Sequence, residues 1–424
     1  MIPQNAEVDN LFEEHLFLRL AWSILGVPAR PSSGQRGLRG CPCRPFLAGS
    51  FTEGASTALR VVMLSKACLV GVYQRKLEEL AAVPGIELVA AVPSSWRDER
   101  GVTRLERAHT VGYRLETLPL VWNGNFHLHF YPTLGRLLRR EHPDIVHIDE
   151  EPYNLATFHA NVLARRLGAK TLWFSWQNLL RHYPWPFSAI ERYNLEHVDH
   201  ALMGSTTAAE VWRQKGYRGA LTVLPQFGVD PEIFCPPSAP RPLGPVHLAY
   251  VGRLVPEKGV DLFLAALEGL PGEWRATILG SGPEAGRLAE QARVAGLAGK
   301  VTFRAPLPSV EMPGFYQTVD VLVLPSRTRP NWMEQFGRVL IEAMACGVAV
   351  VGAASGEIPA VMGDAGWVFP EADVEILREH LARLVRDREL REALAQAGRA
   401  RVLAQFTQKH IALETARVYE GLLT

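Results

Sequence analysis

The most informative residues of this sequence are two glutamates, Glu334 and Glu342, which stand eight positions apart in EQFGRVLIEAMACG. A carboxylate in so apolar a stretch is costly to bury unless hydrogen bonds or cations satisfy it. The loop before this stretch carries Arg327 and Arg329, and the N-terminus of the helix that follows would be a ready anion site. The pattern favours an anion-binding site, with a solvated helix position as the alternative for Glu342.

The spacing of the two glutamates argues against one kind of chemistry. Retaining glycosidases hold two carboxylates about 5 Å apart, one as the acid and the other as the nucleophile. Eight residues of helix rise about 12 Å. Glu334 and Glu342 therefore cannot easily share one glycosidic bond, and a double displacement between them is disfavoured.

The hydrophobic pattern places both glutamates on a β-loop-α-β unit. Residues 321–324 read as a buried strand, residues 336–346 as an apolar helix stopped by a glycine, and residues 348–351 as a second buried strand. The other strands predicted in this half of the chain are 246–252, 276–280, 301–303 and 367–369.

The first half of the chain has the same alternation, with helical segments between most of its strands. The predicted strands are 59–64, 86–92, 144–148, 170–174, 200–203 and 221–224. Alternation of this kind predicts parallel α/β doubly wound sheets joined by right-handed crossovers. Ligands of such sheets bind beyond the carboxyl ends of the strands.

The chain has 424 residues, which is too long for a single ordinary core. Five prolines and no periodicity mark CPPSAPRPLGP as a linker between two domains. The predicted organisation is a poorly ordered extension (1–58), a first domain (59–234), the linker (235–245), a second domain (246–406) and a final helix crossing back to the first domain (407–424).

Composition excludes several classes of protein. The net charge of +1 gives no indication of nucleic-acid binding. Five scattered cysteines without a zinc-type spacing favour a reducing compartment. No apolar run reaches the roughly 18 residues that span a bilayer. We therefore expect a cytoplasmic protein, with peripheral contact at the inner face of a membrane as a further hypothesis.

A second group of chemical residues follows the strand at 246–252. Gly252, Arg253 and Lys258 lie in GRLVPEKG, where a glycine lets the backbone approach a ligand and two cations suit a diphosphate. Together with ILGSGPE, RAPLP and EQFGRVLIEAMACG, this loop resembles the retaining glycosyltransferases of family 4 (glycosyl transferases group 1). The resemblance runs from about residue 59 to the C-terminus and implies the GT-B fold, two Rossmann-like domains facing across a cleft.

The resemblance implies a donor site in the second domain. Arg253 and Lys258 would hold the pyrophosphate of a nucleoside-diphosphate sugar without a metal. Glu334 would contact the transferred sugar near its reacting carbon, and Glu342 would accept hydrogen bonds from the ribose hydroxyls. The remaining donor-side residues implied are Gly252, Phe336, Gly337, Arg304 and Leu307, the last two in the loop that would hold the base. No tightly bound cofactor is expected.

The first domain would bind the acceptor, and here the sequence departs from the family pattern. The phrase VHIDEEPYN has Asp149 where relatives carry a histidine after the strand, and FSWQN follows the next strand. Gly71, Asp149 and Gln177 are the acceptor-side candidates. Lys66 and Glu150 also follow predicted strands, and an acidic or basic role toward the acceptor is open to Asp149, Glu150 or Gln177. The alternative for these residues is helix capping and loop structure, for example by Asp149 and Asn154.

The resemblance implies a retaining, metal-independent hexosyltransferase that acts on a glycan or lipid-linked acceptor in polysaccharide or cell-envelope glycan synthesis. A sugar-nucleotide epimerase, a phosphorylase and a catalytically silent binding protein on the same fold remain alternatives. The epimerase would interconvert donor sugars without an acceptor.

Two other segments have open interpretations. Residues 179–193 mix aromatic and cationic side chains, so they could dock on a membrane surface, although packing in the cleft is favoured. His127 and His129 alternate in NFHLHF as in a strand, which could suggest a metal site. Because no third ligand stands at a usable spacing, a structural or acceptor-facing role is favoured.

Overall fold

The computed structural model describes residues 58–98, 101–239, 241 and 244–424. The predicted N-terminal extension lies outside the described residues except for its last residue. Among the described helices, none combines the length and hydropathy that crossing a bilayer requires.

The first half of the described chain is built on a parallel sheet with the strand order β5-β2-β1-β6-β7-β8-β9. A short antiparallel hairpin of β3 and β4 stands beside it. The strands are β1 (Leu59–Ser65), β2 (Ile86–Pro93), β3 (Ser95–Asp98), β4 (Gly101–Arg104), β5 (Arg114–Leu118), β6 (Ile145–Asp149), β7 (Lys170–Ser175), β8 (His200–Met203) and β9 (Ala220–Val223).

Helices cover both faces of this sheet because its central strands are apolar on both sides. In β1, Val62 and Leu64 belong to one hydrophobic core, whereas Val61 and Met63 belong to the other. This alternation follows the two-residue period of a strand. The helices are α1 (Arg75–Ala81), α2 (Leu134–Glu141), α3 (Leu155–Arg166), α4 (Phe187–His197) and α5 (Thr206–Gln214).

The second half repeats the plan with a parallel sheet of order β12-β11-β10-β13-β14-β15. Its strands are β10 (Val246–Val251), β11 (Trp274–Leu279), β12 (Val301–Arg304), β13 (Val321–Leu324), β14 (Ala349–Ala353) and β15 (Trp367–Phe369). Its helices are α6 (Val260–Leu267), α7 (Ala285–Val294), α8 (Met312–Tyr316), α9 (Arg338–Ala345), α10 (Ile358–Met362), α11 (Val374–Arg386) and α12 (Arg388–Gln405). The predicted pair of doubly wound parallel sheets is confirmed.

The last helix, α13 (Gln408–Gly421), leaves the second sheet and packs on α1 of the first domain. The Thr407 side chain caps it by accepting a hydrogen bond from His410 N. Tyr419 is fully buried in the first-domain core, where its hydroxyl lies 2.7 Å from His147 Nδ1. The C-terminus therefore ties the two domains together.

The segment NFHLHF differs from its sequence-based expectation. It forms turns rather than a strand, because Asn125 Oδ1 accepts hydrogen bonds from the backbone N–H groups of His127 and Leu128. The two histidine rings are therefore not displayed by strand alternation. His129 is fully buried, 3.5 Å from Glu150.

Candidate donor and acceptor sites in the interdomain cleft

The loop after β10 is fixed by close backbone contact with the loop after β11. Gly252 N donates to Leu279 O, and Leu254 N donates to Ser281 O. Gly280 has φ 158°, and a Cβ atom there would lie only 1.8 Å from Gly252 O. Because Gly280 has no side chain, the backbone of the Gly252–Arg253 loop can pack directly against it.

We expect Gly280→Ala to destabilise the fold and displace this loop, because Gly252 O leaves no room for a methyl group. Gly286 in α7 is the matched control, since a Cβ there meets nothing within 4 Å. Gly286→Ala should stabilise the helix by about 0.5–1 kcal/mol. Urea unfolding of both variants checks this, and equal stabilities would contradict the packing argument.

Lys258 and Glu334 form the centre of the candidate donor site. Lys258 Nζ lies 2.6 Å from Glu334 Oε2, and Ser326 Oγ donates to the same oxygen at 2.9 Å. Glu334 is 7 % exposed, so its carboxylate is largely shielded from water, whereas the Lys258 side chain is half-buried. The Lys258 ammonium also lies over the Trp332 ring, 4.8 Å from its centroid. The structure thus joins two residues that the sequence analysis assigned to one site.

The other cation of the predicted donor site is open to solvent. The Arg253 side chain is exposed at the end of β10, the neighbouring strand to β13. Arg304 is the last residue of β12 and is exposed, and Leu307 follows it and packs partly on the core. All three positions border the carboxyl ends of strands in the second sheet, where ligands of such sheets bind.

Glu342 has its own set of partners. Its Oε1 lies 2.8 Å from Arg338 Nε, and its Oε2 accepts a hydrogen bond from the Tyr316 hydroxyl at 3.0 Å. Burial raises the pKa of the Glu342 carboxyl, while Arg338 and Tyr316 oppose that rise. A carboxylate has about four acceptor positions, so room for further hydroxyl donors remains.

The helix between the glutamates begins later than predicted. Gly337 has φ 75° and precedes α9, which starts at Arg338 rather than at Phe336. Phe336 is buried against Trp176 and Phe406, with ring centroids 5.6 Å and 5.8 Å away. Phe336 therefore packs the interface between the domains.

The segment that carries Glu334 is held by hydrogen bonds to the first domain. Asn178 Nδ2 donates to the carbonyl oxygens of Met333 and Glu334, at 3.3 and 3.2 Å. Gln335 Nε2 donates to Trp176 O at 2.9 Å. The first domain thus contributes directly to the position of Glu334.

A cavity of about 340 Å³ opens at the carboxyl ends of β1, β6 and β7. Aromatic rings and carboxylates dominate its walls. The residues that line it include Lys66, Trp96, Phe126, Asp149 and Glu150. Trp176 also lines the cavity and contacts Phe336, so the cavity adjoins the segment that carries Glu334.

Asp149 is the one acceptor-side candidate that lines this cavity. It is 5 % exposed, and it accepts hydrogen bonds from Ser65 Oγ at 2.5 Å and Gln226 Nε2 at 2.8 Å. Burial raises its pKa, and the charge of Lys76 together with these two hydrogen bonds opposes the rise.

Lys66 and Glu150 form an ion pair beside Asp149 that the sequence did not predict. Lys66 Nζ lies 2.8 Å from Glu150 Oε2 and stacks over the rings of Trp96 and Phe126, at 4.4 and 4.5 Å. Although burial opposes ionisation of Glu150, Lys66 and His129 hold its pKa at about 2. Both residues follow predicted strands, which marked each of them, but nothing in the sequence indicated that the two form a pair.

The other two acceptor-side candidates are engaged within the protein. Gly71 N donates to Glu106 Oε2 at 2.6 Å, and a Cβ at Gly71 would meet Ala108 at 2.7 Å. Gln177 is buried, and its Nε2 donates to Leu179 O at 3.1 Å. Both residues shape the loops of the first domain, which corresponds to the structural alternative considered for them.

The aromatic segment 179–193 packs largely on its own domain. Tyr183 lies against Tyr153 at a centroid distance of 4.4 Å, and Phe187 lies 4.9 Å from the His127 ring. Arg181 donates to Asn331 O across the cleft at 2.9 Å. These contacts favour the packing interpretation, and membrane docking of the segment stays a prediction.

Both halves of the chain match models of known protein families. Residues 236–401 match the family model described as glycosyl transferases group 1, and residues 70–226 match a glycosyl transferase 4-like domain. The chain belongs to the glycosyl transferases of group 1. The predicted family membership is thus confirmed, and the two matches correspond to the two sheets.

Relatives of this family member differ in substrate. It is 32% identical over 258 residues to the GDP-mannose-dependent alpha-(1-6)-phosphatidylinositol monomannoside mannosyltransferase of Mycolicibacterium smegmatis, a match covering 56% of this chain and 66% of that protein. It is 29% identical to the 2-deoxystreptamine N-acetyl-D-glucosaminyltransferase of Streptomyces fradiae, covering 74% of this chain and 80% of that protein. The chain spans less than two thirds of the length of the mycobacterial relatives.

Solved structures of low sequence identity have the same fold. Sucrose-phosphate synthase from Thermosynechococcus elongatus superposes with a TM-score of 0.63 at 20% identity, covering 86% of this chain and 99% of that chain. The Anabaena protein HepE in complex with UDP gives a TM-score of 0.65 at 15% identity, with 86% and 100% covered. The architecture is GT-B, as the sequence resemblance implied.

Proposed function

We propose that this protein transfers a hexose from a nucleoside-diphosphate sugar to a hydroxyl group of an acceptor bound in the first domain, with retention of anomeric configuration. The observation that carries the proposal is the ion pair of Lys258 and Glu334, whose atoms lie 2.6 Å apart. The segment that carries Glu334 adjoins the cavity of the first domain through the contact between Phe336 and Trp176. A cation for the departing diphosphate and a carboxylate for the sugar are thereby present in one place.

The donor would lie along the carboxyl edge of the second sheet. Arg253 and Lys258 would bind the pyrophosphate, and the first amides of α9, which follows Gly337, would add partial positive charge. Glu342 would accept ribose hydroxyls through the acceptor positions that Arg338 and Tyr316 leave open. These groups would stabilise the departing diphosphate by themselves, which supports a metal-independent reaction.

Retention would follow from departure and attack on the same face of the sugar. Glu334 is held by Lys258 and Ser326, whereas Glu342 is held by Arg338 and Tyr316. Because the two glutamates have different partners, they suit different roles. A double displacement would instead need two carboxylates paired at one glycosidic bond. Glu334 would stabilise positive charge at the reacting carbon while Lys258 stabilises the leaving group.

The cavity of the first domain suits a ring with several hydroxyl groups. Its aromatic walls, Trp96 and Phe126 among them, can pack on the apolar face of such a ring, and its carboxylates accept hydroxyl hydrogen bonds. The acceptors in the names of two relatives, phosphatidylinositol monomannoside and 2-deoxystreptamine, contain such rings. A glycan or glycolipid acceptor, in polysaccharide or cell-envelope synthesis, is the matching class.

A thermal-shift screen with GDP-, UDP- and ADP-sugars tests the donor assignment. One base should raise the melting temperature more than the others, because a ligand at 100 times its Kd adds about 2.7 kcal/mol. Incubating the winning donor alone separates the alternatives, since an epimerase would convert the donor sugar without an acceptor. No shift with any nucleotide sugar would contradict the proposal and favour a catalytically silent protein.

A further inference from the structure

One carboxylate of the second domain binds a helix of the first domain. Glu357 precedes α10 and is 5 % exposed. Its Oε1 accepts a hydrogen bond from Thr206 N at 2.8 Å. Its Oε2 accepts from Thr206 Oγ1 at 3.0 Å and from the N and Oγ1 of Thr207, both at 3.3 Å. Four hydrogen bonds therefore converge on one side chain across the domain interface.

The recipient is the N-terminus of α5. The first N–H groups of a helix have no partners within the helix, and the helix dipole favours a negative charge there. Ser205 already caps α5 within the first domain, since its Oγ accepts from Ala208 N at 3.1 Å. Glu357 thus completes the cap of α5 from the other domain, and only when the two domains are in contact.

The backbone beside Glu357 reaches Glu334. Glu357 N donates to Glu334 O at 3.2 Å, the same oxygen that Asn178 Nδ2 approaches from the first domain. The neighbouring Gly356 has φ 54°, and a Cβ there would lie 2.0 Å from Glu334 O. Glu357 therefore contacts α5 through its side chain and the backbone of Glu334 through its own N–H group.

We propose that Glu357 is a positioning residue, a latch that couples closure of the two domains to the placement of Glu334. Separating the domains would break its four hydrogen bonds to α5, and the backbone segment that carries Glu334 would then be free to move. The role of Glu334 in transfer rests on the proposed function above, whereas the latch itself is a statement about domain closure.

A double-mutant cycle tests the coupling. Glu357→Gln and Thr206→Val should each lower kcat about tenfold with the donor KM little changed, the effect of losing one hydrogen bond to a charged group. The double variant should be no slower than Glu357→Gln alone, because both changes break the same contact. Additive losses, or a folded Glu357→Gln variant with normal kcat, would overturn the proposal.

Small-angle scattering tests the latch without depending on activity. Glu357→Ala should have a larger radius of gyration than the parent, whereas Glu379→Ala, at an exposed position of α11, should not. Circular dichroism confirms that each variant is folded. An unchanged radius for Glu357→Ala would overturn the latch, while an enlarged radius in a protein that transfers no sugar would contradict only the proposed function.

Discussion

Replacing Glu334 by Gln is expected to lower the rate of hexosyl transfer by about 10²–10³, the effect of losing one preorganised electrostatic contact to a transition state. The substitution keeps the size of the side chain and a hydrogen-bond acceptor for Ser326, but it removes the negative charge next to the reacting carbon. Lys258 is then free to bind the pyrophosphate, so donor affinity should change far less than the rate. Initial rates of nucleoside-diphosphate release at saturating donor measure the effect.

Glu379→Gln is the control for charge removal, because Glu379 is exposed on α11 of the same domain. It should leave transfer unchanged. Near-normal turnover in both Glu334→Gln and Glu342→Gln would contradict the assignment of the two glutamates to sugar and ribose.

The second large effect is expected from removal of the two donor-site cations. Lys258→Met and Arg253→Met should each lower transfer by about 10²–10³, since each removes one cation from the departing diphosphate. Their effects on folding should differ. Lys258→Met leaves the buried Glu334 carboxylate without its ion pair and should cost about 1–3 kcal/mol of stability. Arg253→Met, at an exposed position, should stay within about 0.5 kcal/mol.

Urea unfolding of the two variants measures the expected difference in stability, and their donor-dependent rates measure the expected loss of transfer. Lys409→Met serves as the control, because Lys409 is an exposed cation at the start of α13. An equal loss of stability in both cation variants, or full activity in either of them, would contradict the proposed donor geometry.

The sequence was sufficient to predict the architecture because the hydrophobic pattern of its strands and helices is strong and local. The strand at 321–324 is predicted and found with the same bounds, since a run of four apolar residues has the length of a buried strand and is too short for a helix. The start of α9 was placed two residues early, because the apolar Phe336 continues the helical pattern although it packs against Trp176. Gly337, in the left-handed region, was the local signal for the later start.

The contacts that build the candidate site could not be predicted, because they join distant positions. Lys258 and Glu334 are 76 residues apart, Lys66 and Glu150 are 84 apart, and Thr206 and Glu357 are 151 apart. Sheet order and crossover geometry bring each pair together, and a single sequence does not encode them as a local pattern. Family resemblance supplied Lys258 and Glu334, whereas the pairing of Glu150 with Lys66 and the contact of Glu357 with Thr206 required the structure.

Local competition between side chain and backbone explains the error at NFHLHF. The alternating histidines have the period of a strand, but Asn125 offers its side-chain oxygen to the next backbone N–H groups and forms a turn instead. The β3–β4 hairpin also went unpredicted because its strands are short and β4 is exposed throughout.

Proton NMR of the donor during the reaction tests the central claim most directly. The parent protein, supplied with the nucleotide sugar chosen by the thermal screen and a panel of hydroxylated ring acceptors, should consume the donor's anomeric signal. A new anomeric signal of the same configuration should appear, and Glu334→Gln should slow both changes by about 10²–10³. A product signal of inverted configuration, or a parent protein that transfers at the rate of Glu334→Gln, would contradict the account.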